Sequence, residues 1–461
     1  KGIISMESAF KKREIKQKKR AQWAWYLYDF GNSAYAAVVL LAIYAAYFKE
    51  TVVGTAQGSA LWGLSLTISM LVVAIISPFL GTLADYSGRK KPLLFIMTAI
   101  SIIFTALLFL VEKGDVFMGM FFFIIAEIGY RSSQVFYNSL LVDIADDNEI
   151  PKVSGNGWAI GSLGGIICLF IVLALIQLNP GDVFFVRLSL LITAVFFAVF
   201  TIPTFVLIKE KPRPQEREGK SLFRIATERL SQTIRSVSKF KEFLRFMIAQ
   251  LIYNDGIIAA LDFAAIIGTV LFDVTTTELI IFVIIVQITN VIGAYVYGIL
   301  GEKIGLKNAL VNSLIVMILS VVGMMFVRNK MGYFIAGSIS GFAMAGVQSL
   351  DRTLVSVFAP KKKNAEFNGF FSLVGRTSSM IGPGVMGAVA SGLSVWVMNI
   401  LVTNHIALPN NQSALNVAEK IGHRFALITI IFFLLIGLIP LLFVDEEDGR
   451  KAALQSDLEK N

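Results

Sequence analysis

The feature that most constrains this chain is the recurrence of apolar runs of about 20 residues. Each is long enough to cross the roughly 30 Å hydrocarbon core of a bilayer as an α-helix. They fall near 24–48, 60–84, 92–111, 116–142, 154–177, 184–208, 246–271, 278–300, 309–327, 332–358, 366–391 and 423–444. Backbone N–H and C=O groups find no water in hydrocarbon, so runs of this kind cross as helices that satisfy their own hydrogen bonds. The composition agrees: 56% of the 461 residues are hydrophobic and only 16% are charged, against about a quarter charged in soluble domains. The pattern predicts an all-α integral membrane protein with twelve transmembrane helices, not a soluble enzyme with an anchor.

The net charge of +9 would suggest nucleic acid as a partner for a soluble protein. Here the basic residues sit in loops, and the preference of cationic loops for the cytoplasm explains them. With both termini and the loops near 85–91, 143–153, 209–245, 302–308 and 359–365 on one side, that side holds 31 Lys and Arg residues. The opposite side holds seven, and Arg131, Arg352 and Arg376 lie within spans. The asymmetry predicts that both termini are cytoplasmic, which requires an even number of helices. The first apolar run has no small-residue cleavage site after a short apolar core, so it is expected to be a retained helix and not a signal peptide. The single cysteine, Cys168, and the two histidines predict no disulfide framework and no metal site. No cofactor, catalytic residue set or Gly-rich nucleotide loop is expected, which argues against ATP-driven movement.

The chain divides into a basic tail (1–23), a first six-helix bundle (24–208), a linker (209–245), a second six-helix bundle (246–444) and a second tail (445–461). Pro212, Pro214 and Gly219 mark the start of the linker as irregular. Beyond them Phe223, Ala226, Leu230, Ile234, Val237 and Leu244 recur at helical spacing, with Arg224, Arg229, Arg235, Lys239 and Lys241 between them. This is a basic amphipathic helix over 221–245, suited to anionic lipids. The plainer alternative is a connector that keeps its apolar face off water. The segment 392–422 reads as a long external loop; its Asn411-Gln412-Ser413 tripeptide matches a glycosylation acceptor but arises easily by chance.

Between spans two and three the chain reads Gly81-Thr-Leu-Ala-Asp85-Tyr-Ser-Gly88-Arg89-Lys90-Lys91-Pro92. Gly81 permits close helix approach, Asp85 can face a helix N-terminus, Gly88 permits the turn, and Arg89 and its neighbours hold the loop inside. The counterpart in the second half runs from Gly298 to Lys307. These loops resemble the signature of the major facilitator superfamily, whose fold consists of two six-helix pseudo-symmetric bundles. Tyr28-Asp29-Phe30-Gly31-Asn32-Ser33-Ala34-Tyr35, Gly155 to Gly165, Tyr253-Asn254-Asp255-Gly256 and the run from Gln348 through Arg352 to Pro383 are similar to the autophagy-linked vacuolar amino-acid effluxers and their bacterial relatives. Asp351 stands where that pattern has a small residue. The resemblance implies efflux of amino acids or similar small metabolites.

Ionisable groups inside a membrane are costly and tend to face a partner or a water-filled cavity. Asp29 in span one and Asp255 in span seven occupy equivalent places in the repeats and are candidates for substrate or proton binding; the alternative is that they cap helices. Asp262 lies seven residues on, deeper on the same face. In span four, Glu127 and Arg131 form an i,i+4 pair, continued by Gln134 and Asn138. The pair fits a zwitterion, or a proton-linked switch, or simply braces the bundle. Matching Gln134 to Gln348 sets Asn138 opposite Arg352, and Arg376 adds a buried cation in span eleven. The candidate substrate residues are thus Asp29, Asn32, Glu127, Arg131, Gln134, Asn138, Asp255, Gln348, Arg352 and Arg376. Candidate proton carriers are Asp29, Glu127, Asp255 and Asp262, and the candidate gating loop is Gly81, Asp85, Gly88 and Arg89. Gly157, Gly161, Gly164 and Gly165 read as packing positions, and Gly382-Pro383-Gly384 as a kink.

These observations predict a monomeric secondary transporter with a small polar substrate, working by alternating access with protons as a candidate coupling ion, in a bacterial cytoplasmic membrane or, in a eukaryote, a vacuolar or lysosomal one. A lipid or lysolipid flippase of the same fold is the nearest alternative, and a non-transporting sensor or scaffold the next.

Overall fold

The computed structural model describes residues 2–87, 89–146, 149–210, 222–360, 363–404 and 413–458. Twelve helical spans follow one another among these residues. The first runs as an α-helix over Gly2–Ala34, widens over Tyr35–Ala42, bends at Ile43 and continues through Tyr44–Tyr47 and Phe48–Val53. The next five are Gly58–Ser87, Lys90–Leu107 with Leu108–Leu110, Val116–Ser139, Ile150–Leu178 and Val183–Leu207. Leu222–Val237 joins the halves. Span seven is Lys241–Asp262 with Ala264–Phe272, followed by Thr276–Ile304, Leu306–Phe326 and Lys330–Phe358. Span eleven is Asn364–Thr377 with Gly382–Thr403, and span twelve is Ala414–Leu442. Glu446–Leu458 forms a final helix. Eleven of the spans are by themselves long and apolar enough to cross a membrane; Lys330–Phe358, which carries Gln348, Asp351 and Arg352, is the more polar twelfth.

Four helix starts carry side-chain caps, which satisfy N–H groups that have no partner in the first turn. Asp182 accepts from Phe184 N at 2.9 Å and Asn329 from Gly332 N at 2.8 Å. Thr275 and Glu278 form a reciprocal capping box, and Ser413 accepts from Asn416 N at 3.2 Å. The caps at Ser413 and the helix end at Thr403 correct the long external loop expected at 392–422. Span eleven extends beyond Ser391, span twelve begins at Ala414, and the connection shrinks to 404–413. The polar residues that suggest a loop have partners: Glu419 pairs with Lys49 and Lys420 with Asp273. Asn411 and Gln412 of the tripeptide lie outside the described residues.

Outward faces of the spans expose large apolar side chains such as Phe117, Ile202, Leu319 and Phe326, as hydrocarbon requires. Packing between spans relies on small residues, because lipid tails are as apolar as leucine and offer no hydrophobic drive. Contacts at glycine also fix the register between the repeats. A Cβ on Gly31 would stand 3.0 Å from Phe200 Cβ and 3.1 Å from the Phe197 carbonyl oxygen. A Cβ on Gly256 would stand 3.0 Å from Phe433 Cβ and 3.1 Å from the Ile430 carbonyl oxygen. Likewise a methyl on Gly164 would overlap the Phe30 carbonyl, and one on Gly382 the Asp255 carbonyl. Gly31 therefore matches Gly256, Phe30 matches Asp255 and Asp29 matches Asn254. The two acids of spans one and seven are one residue out of register, not equivalents.

The chain forms two compact units. The first comprises Lys1–Leu40, Ile75–Val111 and Phe121–Ala226. Within it, spans one and four are joined by aromatic stacking and spans one and six by Thr204, whose hydroxyl donates to the Ala24 carbonyl at 2.7 Å. The second comprises Leu41–Ala74, Glu112–Met120 and Thr227–Asn461. It gathers the later part of span one and the earlier part of span two with spans seven to twelve. A buried seam holds these parts. Ser59 Oγ lies 2.6 Å from His423 Nε2, Trp62 Nε1 donates to the Asp262 carbonyl at 2.9 Å, and Thr67 Oγ1 donates to the Met380 carbonyl at 3.0 Å. The last helix belongs to this unit and sets Gly449 against Phe358.

Candidate transport site

In the first unit, spans one and four meet along a ladder of rings. Trp25 stacks on Tyr137 at 4.3 Å, Tyr28 on the same Tyr137 at 4.8 Å, and Tyr35 on Tyr130 at 4.5 Å. Hydrogen bonds hold the ladder in register: Trp25 Nε1 donates to the Tyr137 carbonyl at 3.0 Å, and Tyr137 Oη donates to the Trp25 carbonyl at 3.2 Å. Tyr28 and Thr98 hydroxyls meet at 2.7 Å and bring in span three.

At the upper rung of this ladder lies the Glu127–Arg131 pair. One helical turn separates the two residues, so Arg131 Nε reaches Glu127 Oε1 at 2.7 Å. Glu127 is fully buried, whereas the Arg131 side chain keeps about a quarter of its exposure (26%). The guanidinium lies over the Tyr130 ring, 5.5 Å from its centroid, a favourable place for a cation. Around the pair, Glu127 Oε2, Asn32 Oδ1 and the Tyr35 hydroxyl are buried and fall short of hydrogen-bond geometry with any partner among the described residues, although the Tyr35 hydroxyl faces Glu127. Each such atom costs about 1–3 kcal/mol where it is left dry, and native structures rarely tolerate several together without a purpose. The arrangement presents a planar cation beside three buried oxygens. It can hold a carboxylate at Arg131 and an ammonium or a proton at the oxygens.

Of the residues the sequence points to, Asn32, Glu127 and Arg131 come together here. Asp29 faces span five, where a methyl on Gly161 would overlap its carboxylate. Gln134 is half-buried and Asn138 exposed on the continuation of span four. In the second unit, Asp255 is buried and accepts hydrogen bonds from Ile381 N and Gly382 N at 3.2 and 2.7 Å. Asp262 ends the first helix of span seven. Gln348 is half-buried, and its carbonyl accepts from Arg352 Nε at 3.2 Å while Arg352 points outward. Arg376 sits in the last turn before the break in span eleven. In the signature loop, Gly81 faces open space and Arg89 is exposed at the start of span three. The Asp85 side chain and Gly88 lie outside the described residues.

Sequence reasoning misses three partnerships. Tyr253 Oη donates to Asp351 Oδ1 at 2.6 Å, which accounts for an acid where the family pattern has a small residue. Lys49 and Glu419 form a buried ion pair, and Ser59 meets His423. A lone cation near a helix end reads as loop, which hides Lys49 until its partner is seen.

Comparison with known proteins identifies the family and the fold. The profile of the vacuole effluxer Atg22-like family matches residues 52–151 and 143–392. The uncharacterised MFS-type transporter YxiO of Bacillus subtilis is 26% identical over 96% of this chain and 99% of its own length. Autophagy-related protein 22 of Yarrowia lipolytica is 22% identical over 66% of this chain, which spans about half (52%) of that protein. Among solved structures, a bacterial homologue of the human lysosomal transporter Spinster, inward-facing and occupied, superposes with a TM-score of 0.71 at 14% identity, covering 94% of this chain and 97% of that one. A point mutant of the nucleoside transporter NupG gives 0.67 at 15% identity, covering 91% and 99%. These relatives are transporters, not enzymes. Twelve spans in two pseudo-symmetric halves, a profile match over most of the chain and transporter folds covering more than nine-tenths of it lead to one conclusion: the chain belongs to the vacuole effluxer Atg22-like family and is an MFS-type membrane transporter.

Proposed function

We propose that the chain exports a small polar, amino acid-like metabolite by alternating access, as a monomer in a bacterial cytoplasmic membrane with both termini in the cytoplasm. The observation that carries this reading is the Glu127–Arg131 pair beside Asn32 and Tyr35. A zwitterion supplies the carboxylate that a guanidinium takes in bidentate fashion and an ammonium that can donate to Glu127 Oε2 and Asn32 Oδ1. The family's description as vacuole effluxers supports the direction. Glu127 is the carboxylate best placed to exchange a proton as the substrate arrives, because Arg131 cannot serve two anions at once without compensation. Asp29 and Asp262 are secondary candidates. Exposed Arg224, Arg235 and Lys239 around the Leu222–Val237 helix support its resting on anionic lipid headgroups.

Proteoliposomes preloaded with a labelled amino acid mixture test the reading. Efflux from the parent and none from Arg131→Ala is the expected result. Efflux that ignores a collapsed proton gradient would remove the coupling and leave the substrate class standing. A lysolipid flippase is the second reading, favoured by an almost wholly apolar cavity in the second unit lined by Leu261, Phe282, Val286, Met317, Met344 and Leu427. Thermal shifts confined to lysophosphatidylcholine, with none from amino acids, would select it.

A further inference from the structure

Three consecutive residues of span seven tie it to spans ten and eleven. Tyr253 donates to Asp351 on span ten. Asn254 Nδ2 donates to Ser378 Oγ at 2.6 Å. Asp255 Oδ1 accepts from the N–H groups of Ile381 and Gly382. The last two contacts converge on the interruption of span eleven, where the helix stops at Thr377 and restarts at Gly382.

An interrupted helix in hydrocarbon leaves backbone groups without partners, which is tolerated only where neighbours satisfy them. Several of the groups here have named partners. Ser378 N still donates to the Val374 carbonyl at 2.9 Å. The Met380 carbonyl accepts from Thr67 Oγ1. Pro383, at the start of the second helix, has no N–H to satisfy. The N–H groups of Ile381 and Gly382 both donate to one carboxylate oxygen of Asp255. A carboxylate is also the side chain best suited to the positive end of a helix.

The first repeat supplies the control. Phe30 occupies the position equivalent to Asp255, packed under Gly164 as Asp255 is packed under Gly382. There span five runs unbroken over Ile150–Leu178. A break and an acid at this position occur together in the second repeat, whereas in the first the position holds Phe30 and span five is unbroken.

We propose that Asp255 is a positioning residue: its carboxylate oxygen is the acceptor that keeps span eleven in two helices joined at 378–381, and it carries neither the substrate nor a proton. The inference does not rest on the identity of the substrate. What the site needs is an acceptor oxygen at this place, so a neutral amide with the same oxygen serves.

Amide hydrogen exchange on the purified full chain in detergent reads these hydrogen bonds directly. Asp255→Asn is expected to keep exchange in peptides covering 378–385 within threefold of the parent. Asp255→Ala is expected to accelerate it tenfold or more, with peptides over 388–400 unchanged. If Asp255→Ala does not accumulate, Asp255→Ser takes its place, with an acceleration of about threefold to tenfold expected because its hydroxyl is too short to reach both groups. Gly382→Ala, which pushes against the Asp255 carbonyl, should loosen the same peptides. Asn as disruptive as Ala would show that charge is what matters and overturn the proposal. Unchanged exchange in Ala or Ser would overturn it equally. Export of the labelled amino acid mixture by Asp255→Asn should keep the parent's pH profile; a flattened profile would identify a proton carrier and refute the assignment. A parent that exports none of that mixture would count against the substrate proposed above, and the exchange measurements would still decide this one.

Discussion

Lys49 Nζ lies 2.7 Å from Glu419 Oε2, and both side chains are about nine-tenths buried. They stand 370 residues apart in sequence, on spans one and twelve. Burying two charges costs several kcal/mol each, and their attraction offsets this only with good geometry. Removing one partner leaves the other charge stranded. Lys49→Met and Glu419→Gln should each therefore lower stability by about 3–5 kcal/mol, read as a drop in melting temperature in detergent. The double variant Lys49→Glu, Glu419→Lys should recover a substantial part. Single variants that melt with the parent would mean that the pair is solvated in practice.

The Glu127–Arg131 pair has a different signature, because Arg131 retains partial exposure while Glu127 does not. Arg131→Lys keeps the charge but loses the planar fork. It should weaken binding of an amino acid mixture by about tenfold, as expected for a loss near 1.4 kcal/mol. Arg131→Ala should abolish measurable binding. Calorimetric titration that finds Lys equal to Arg would remove the bidentate contact from the proposal.

Gly164 separates packing from flexibility. A methyl there would overlap the Phe30 carbonyl, whereas at Gly298 nothing lies within 4 Å of the added carbon. Overpacking costs about 1–3 kcal/mol, while a mid-helix Gly→Ala change in open space gains up to about 1 kcal/mol. Gly164→Ala should lower the melting temperature and Gly298→Ala should hold or raise it. Equal behaviour of the two would contradict the close approach of spans one and five.

Asp445 precedes the last helix and accepts from Glu447 N at 2.9 Å and Asp448 N at 3.0 Å. The backbone N–H of Asp448, then that of Glu447, hold its carboxylate below the usual aspartate range, with Lys451 and Lys307 adding a smaller pull. A lowered value in the folded state means that this cap contributes fully above the ordinary aspartate range and is lost as pH falls through the lowered value. Peptides over 446–458 should therefore exchange faster at acidic pH in the parent than a rate correction predicts. In Asp445→Ala they should be fast at every pH, so a pH-dependent step persisting in that variant would assign it to another group.

Hydrocarbon thickness and the cost of bare backbone groups determined the number of spans before any folding was considered, since both act on local runs of the chain. The same holds for Glu127 and Arg131, which meet because one helical turn separates them. Residues such as Lys49 and Glu419 could not be paired that way. Their contact depends on where two distant helices lie, and Glu419 with Lys420 reads as loop while its partners are invisible. Asp29 and Asp255 match only at the level of their spans: aligning Tyr28-Asp29-Phe30-Gly31 with Tyr253-Asn254-Asp255-Gly256 already sets Asp29 opposite Asn254, and the glycine contacts of Gly31 and Gly256 agree. A single step along a helix turns a side chain by about 100°, which is enough to set Asp255 under a broken span eleven as a helix cap and Asp29 against an unbroken span five. Periodicity along one helix was legible in the sequence; which neighbour each face meets was a property of the packed bundle.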